Sequence, residues 1–128
     1  MNRIALVLTS AFLVGLFFSC SAGDGAAPVY SDPGQAISAN AGSEIVLSLS
    51  ENSGSTGYSW RAQVDSVYLS QVSDDFKAPS DPIPGKAGTR FIKFKALKAG
   101  QTKITMLLER PWEKDKPAET KVFNLTIK

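Results

Sequence analysis

Arg110-Pro111-Trp112 joins a permanent cation, a rigid backbone and a large indole at three successive positions between two strand-like runs. Proline fixes φ at about −65° and removes a backbone donor, so the segment turns or lies on an edge rather than running through a sheet centre. Indole area and guanidinium hydrogen bonding contribute unusually much per residue to protein recognition. The tripeptide, flanked by Glu113, therefore reads as a surface tip with the chemistry of binding. Folding of Trp112 back onto its own domain is the competing reading.

Bond-making chemistry has little to work with. The chain has no histidine and a single cysteine, Cys20. Ser-His-Asp and Cys-His catalysis are excluded, and the exported part offers no imidazole or thiol for zinc. Asp74 and Asp75 adjoin and would point to opposite sides of a strand instead of flanking a scissile bond, so they read as solvated turn residues. Glu113-Lys114-Asp115-Lys116 reads as a solvated loop. With 14 Lys and Arg against 12 Asp and Glu, spread along the chain, there is no electrostatic footprint for nucleic acid. No enzyme, metal or cofactor is expected.

The first residues read as an address. Asn2 and Arg3 form a short basic start, and Ile4 to Phe18 is an apolar run shorter than the roughly 18 to 20 residues of a spanning helix. It ends at Ser19-Cys20, which resembles the bacterial lipoprotein cleavage box. The expectation is a signal peptide over 1–19 and a lipid on Cys20. The domain would be exported and anchored to a bacterial cell-envelope membrane, in the periplasm or at the cell surface. Cleavage would leave 109 residues with a net charge of +1 and no internal disulfide, a size that suits one domain stabilised by its core. Residues 20–34 are small and polar and read as the lipidated cysteine with a flexible tether. The folded domain is expected over 35–128, as a monomer.

Within that domain the hydrophobic pattern has period two and no stretch supports a helix. Ile45, Leu47 and Leu49 mark one half-buried strand, and Tyr58, Trp60, Ala62 and Val64 mark another. Val67 to Leu69, Phe91 to Ala96, Thr102 to Leu108 and Val122 to Ile127 follow, separated by Gly, Pro and Asn-rich turns. Trp60 falls on the inward phase. The pattern predicts an all-β, immunoglobulin-like antiparallel sandwich of six to eight strands.

Two further loops accompany the Arg-Pro-Trp tip. Asn52-Ser53-Gly54-Ser55-Thr56-Gly57, before Tyr58, combines glycines with small hydroxyl side chains that let a partner approach the main chain closely. Pro82 to Thr89 contains Gly85-Lys86-Ala87-Gly88, stiffened at its entry by prolines. In order, a Thr-Gly-Tyr-Ser-Trp loop, a Gly-x-x-Gly-Thr loop, the Lys98-Ala99-Gly100 turn and Arg-Pro-Trp resemble the chagasin family of cysteine-protease inhibitors. The resemblance runs from about Gly34 to Lys128.

The resemblance implies a sandwich presenting three loops as a wedge that enters the cleft of a papain-like cysteine protease. Asn52 to Tyr58 would form the centre, with Gly85, Lys86, Ala87 and Gly88 on one flank and Arg110, Pro111 and Trp112 on the other. The implied activity is reversible, non-covalent inhibition. Where the family usually reads Asn-Pro-Thr-Thr-Gly, this chain is one residue longer and lacks the proline. Ala87 stands where a third glycine is favoured. A looser central loop and weaker affinity are expected from the ordering cost, about 1 to 2 kcal/mol per residue newly fixed. An exported immunoglobulin-like adhesion or assembly module without inhibition is the alternative.

Overall fold

Alternation sets the strands, and the computed structural model of the protein, which describes residues 27–128 apart from 82 and 114, contains eight of them. They are β1 (Val29–Tyr30), β2 (Ile37–Ala39), β3 (Glu44–Glu51), β4 (Ser59–Val64), β5 (Leu69–Lys77), β6 (Gly88–Ala96), β7 (Gly100–Glu109) and β8 (Glu119–Ile127). A single helical turn, α1 (Ser53–Thr56), lies between β3 and β4. Cys20 and the apolar run before it lie outside the described residues.

Two four-stranded sheets form, ordered β1-β3-β6-β5 and β2-β8-β7-β4. Their alternate residues meet in one core. Ile45, Leu47 and Leu49 of β3 and Ile92 and Phe94 of β6 face Trp60 of β4, Ile104 and Met106 of β7, and Phe123, Leu125 and Ile127 of β8, all buried. Phe94, Ile104, Met106 and Phe123 are wholly shielded from water. The expected all-β sandwich is the one found. Its long ladders are antiparallel, and each sheet adds a short parallel strand at an edge, β1 beside β3 and β2 beside β8.

Four local expectations give way. Val29 and Tyr30 pair with Val46 and Leu47, so the folded part begins within the segment read as tether. Tyr30 packs against the core, because a parallel edge pairing needs only backbone and one apolar contact. Asp74 and Asp75 lie within β5 instead of a turn, paired with Ile92 and Phe91. Val67 and Tyr68 precede that strand, with the Tyr68 and Leu69 amides donating to the Asp65 carbonyl. Finally, the stretch after Asn52 is helical for one turn. Without proline, its small residues close main-chain bonds from Thr56 to Asn52 at 3.1 Å and from Gly57 to Ser53 at 2.9 Å.

Candidate functional site

The strand ends bring three connections to one end of the sandwich. Glu51 at the end of β3 pairs with Gly88 at the start of β6, and Ser59 at the start of β4 pairs with Glu109 at the end of β7. Across the two sheets, Glu51 Oε1 accepts the Trp60 backbone N–H at 2.8 Å. The first loop (52–58), second loop (78–87) and third loop (110–118) therefore leave the same end.

The first loop is built on its helical turn. The Thr56 hydroxyl donates to the Asn52 carbonyl at 2.8 Å and accepts the Tyr58 N–H at 3.2 Å, pinning the turn from both sides. Gly57 ends it in the left-handed region, at φ 77°. Only glycine adopts that angle at little cost, and space restricts the position further: a Cβ there would stand 2.6 Å from the Trp112 ring. Gly54, Ser55 and Thr56 form an exposed tip, while Asn52, Ser53, Gly57 and Tyr58 are half-buried. The expected looseness is thus replaced by a compact turn.

The second loop turns at Ile83-Pro84-Gly85-Lys86, where the Lys86 N–H donates to the Ile83 carbonyl at 3.1 Å. Pro84 and Gly85, the latter at φ 86°, supply the composition of a type II turn. Lys86 lies 3.5 Å from Asp81, and Ala87 is half-buried. Gly88 is not a tip residue: it is buried as the first residue of β6. A Cβ there would meet the Lys77 carbonyl at 2.5 Å and the Phe76 ring at 2.6 Å, so glycine is required for close strand approach instead of partner contact.

Side chains join the three loops. Asn52 Nδ2 donates to the Gly85 carbonyl at 3.0 Å, linking first to second. Arg110 Nε donates to the Thr56 carbonyl at 3.0 Å, linking third to first. The Arg110 guanidinium lies 4.2 Å from the Tyr58 ring centre and 5.8 Å from that of Trp112, with Glu113 at 3.6 Å. Arg110 and Tyr58 are therefore turned to internal support. Trp112 projects, 69% exposed, and Pro111 beside it is exposed as well.

Beneath the loops lies a charged group that the motifs did not single out. Glu51 is 2% exposed and accepts from Arg90 Nη2 at Oε2 and from Arg90 Nε at Oε1, the latter at 3.0 Å. Arg90 Nη1 donates to Asp74 at 2.9 Å, and its guanidinium carbon stands 5.2 Å from the Phe76 ring centre. Burial pushes the Glu51 carboxyl up, but bonds from Arg90 and the Trp60 N–H, with the charge of Arg90 and the Ser53 hydroxyl, outweigh it and hold the carboxyl below its ordinary value. The Glu51 bond raises Arg90 above its own ordinary value against the effect of burial, with Asp74 adding to the rise. Ile83, exposed in the second loop, is another residue of this end that the motifs passed over. The available signal for Glu51 was its phase, since it follows Leu47 and Leu49 at the next inward position.

Among the described residues this end holds no histidine or cysteine, and what it exposes, a glycine-and-hydroxyl tip and the Trp112 indole, is suited to binding. Comparison with known proteins agrees with that character. Residues 38–127 match the model of the chagasin family peptidase inhibitor I42. Amoebiasin-2 of Entamoeba histolytica is 35% identical over 77 residues, which span 58% of this chain and 63% of that protein. Among solved structures, the cysteine protease inhibitor EhICP2 from Entamoeba histolytica superposes with a TM-score of 0.66 at 27% identity, over 79% of this chain and 94% of its own. PbICP-C, solved in complex with falcipain-2, shares the fold with a TM-score of 0.55 at 19% identity, over 80% of this chain and 90% of its own. With the family pattern running from within β2 to the end of β8 and spanning all three loops, the chain belongs to the chagasin family of peptidase inhibitors, which are not enzymes.

Proposed function

We propose that the protein is a reversible, non-covalent inhibitor of papain-like cysteine proteases that fills the active-site cleft with its three loops acting as one wedge. The observation that carries this reading is their mutual attachment before any partner arrives: Asn52 to Gly85 and Arg110 to Thr56. Loops already ordered lose less conformational entropy on docking, so more of the contact energy appears as affinity. Family membership and the likeness to EhICP2, a cysteine protease inhibitor, support the target class.

In this mechanism the exposed tip Gly54-Ser55-Thr56 approaches the catalytic thiol with small side chains and a main chain folded into a turn, which is a poor substrate for cleavage. Trp112 lays its indole against one wall of the cleft, and the Gly85-Lys86-Ala87 side covers the other. Arg110 and Tyr58 hold the wedge together from behind. Among the described residues there is no thiol or other group to trap the enzyme covalently, so release restores activity. We also propose export and anchoring through Cys20, supported by the apolar run and the Ser19-Cys20 junction. Metabolic labelling with a lipid precursor, compared between the wild type and Cys20→Ser, decides that part.

Titration of active papain and of a cathepsin L-like enzyme tests inhibition. The expected result is stoichiometric loss of activity that recovers on dilution. No loss at micromolar concentrations of a demonstrably folded protein would overturn the reading in favour of an exported adhesion or assembly module.

A further inference from the structure

The three loops differ in how their stems are closed. The second loop joins β5 to β6 and the third joins β7 to β8, and both pairs are neighbours in one sheet. Their stems are zipped by ladder bonds, from Lys77 opposite Thr89 and from Leu108 opposite Glu119. The first loop instead passes from β3 in one sheet to β4 in the other, so no ladder closes it. Two side chains do so. Glu51 Oε1 accepts the Trp60 N–H at 2.8 Å, and Trp60 Nε1 donates to the Ser50 carbonyl at 2.8 Å.

Glu51 does more than bridge the stem. The same carboxylate receives Arg90, two residues beyond the start of β6, and Arg90 is fixed in turn by Asp74 on β5. One buried anion therefore sets the first loop relative to both the opposite sheet and the strands that carry the second loop. We infer that Glu51, backed by Arg90, is the positioning residue of the first loop, holding its tip in register with the other two. This role rests on the inhibitory reading above. It assigns Glu51 no contact with the protease.

A comparable ion pair supplies the control. Glu109, 7% exposed, accepts from Arg61 at 2.8 Å, where the ladder already closes the third loop. In the full chain, Glu51→Gln keeps an oxygen for the Trp60 N–H but loses the ion pair. It should raise the inhibition constant for papain by about tenfold through the added cost of ordering the loop. Amide hydrogen exchange at Ser55, Thr56 and Gly57 should quicken while Leu47 and Ile92 stay protected. Asp74→Asn, at an exposed carboxylate, should do the same more weakly, by about threefold. Glu109→Gln should leave the inhibition constant within about twofold, whatever it does to thermal stability.

Wild-type inhibition and wild-type loop exchange in Glu51→Gln and Asp74→Asn would overturn the assignment. Equal losses of inhibition in Glu51→Gln and Glu109→Gln would overturn it too, since stability alone would then explain both. Should the wild type fail to inhibit papain, the functional reading fails, and the exchange of the three loop amides still decides the positioning role.

Discussion

At the end away from the loops, the interior is closed by main-chain bonds and one aromatic ring. The Gly42 amide donates to the Ala96 carbonyl at 2.7 Å, the Ala96 amide to the Ser43 carbonyl at 2.9 Å, and the Tyr68 ring lies against Gly100. At the loop end the inward positions of β3 and β6 instead carry Glu51 and Arg90, paired with each other, and Arg90 reaches on to the exposed carboxylate of Asp74 on β5. Backbone closure fixes the path of the chain itself. Side-chain closure supports the chain from within and leaves Gly54, Ser55 and Thr56 exposed at the tip, which suits an end proposed to meet a partner.

Substitution at the two ends should therefore separate binding from stability. The largest effect is expected from Trp112→Ala, which should weaken inhibition by about 2 kcal/mol, or about 30-fold, if the indole is a hot spot. Because the side chain is 69% exposed, its thermal midpoint should stay at the wild-type value. An unchanged inhibition constant in that variant would detach the loop end from function. Gly100→Ala should show the opposite pattern, losing about 1 to 2 kcal/mol of stability to urea with inhibition intact. Its Cβ would stand 2.7 Å from the Tyr68 ring, at a backbone φ of 148°.

The smallest effect is a slope. Glu51 has a folded-state pKa below its unfolded value of about 4.3, so its contribution to stability is fully present above that pH and is lost as pH falls through the folded value. A single proton gives at most about 1.4 kcal/mol per pH unit, and a modest shift gives less. Urea unfolding between about pH 6 and pH 3 should fall less steeply for Glu51→Gln than for the wild type. Parallel curves would mean that the loop end draws no stability from the charge of Glu51.

Much of this was legible because alternation and burial share one cause. Ile45, Leu47 and Leu49, and Phe123, Leu125 and Ile127, occupy the buried face as their spacing implies. Where the pattern is too short to count, it is silent. β1 has two residues and β2 three, and each is placed by pairing with a distant strand. The loop residues were visible as types but not as roles. Nothing in Arg110-Pro111-Trp112 says that the guanidinium turns back to Thr56 while the indole projects, because that depends on the position of a loop 54 residues away. Gly88 looked like its neighbour Gly85, yet one is required by space and the other by a turn. The partner of Glu51 was hidden for a similar reason: inward phase predicts that a buried acid needs a cation, and only the register of β3 against β6 selects Arg90.

The two residues of β1 also give the molecule a direction. They run parallel to β3, whose own course leads toward the loops, so the chain enters the sheet from the opposite end. From Cys20 to Val29 is nine residues, a separation of at most about 30 Å. A lipid on that cysteine would hold the sandwich by its base, a short distance above the bilayer. The wedge would then point away from that membrane, placed to meet a protease in solution on the same side instead of one embedded in the bilayer.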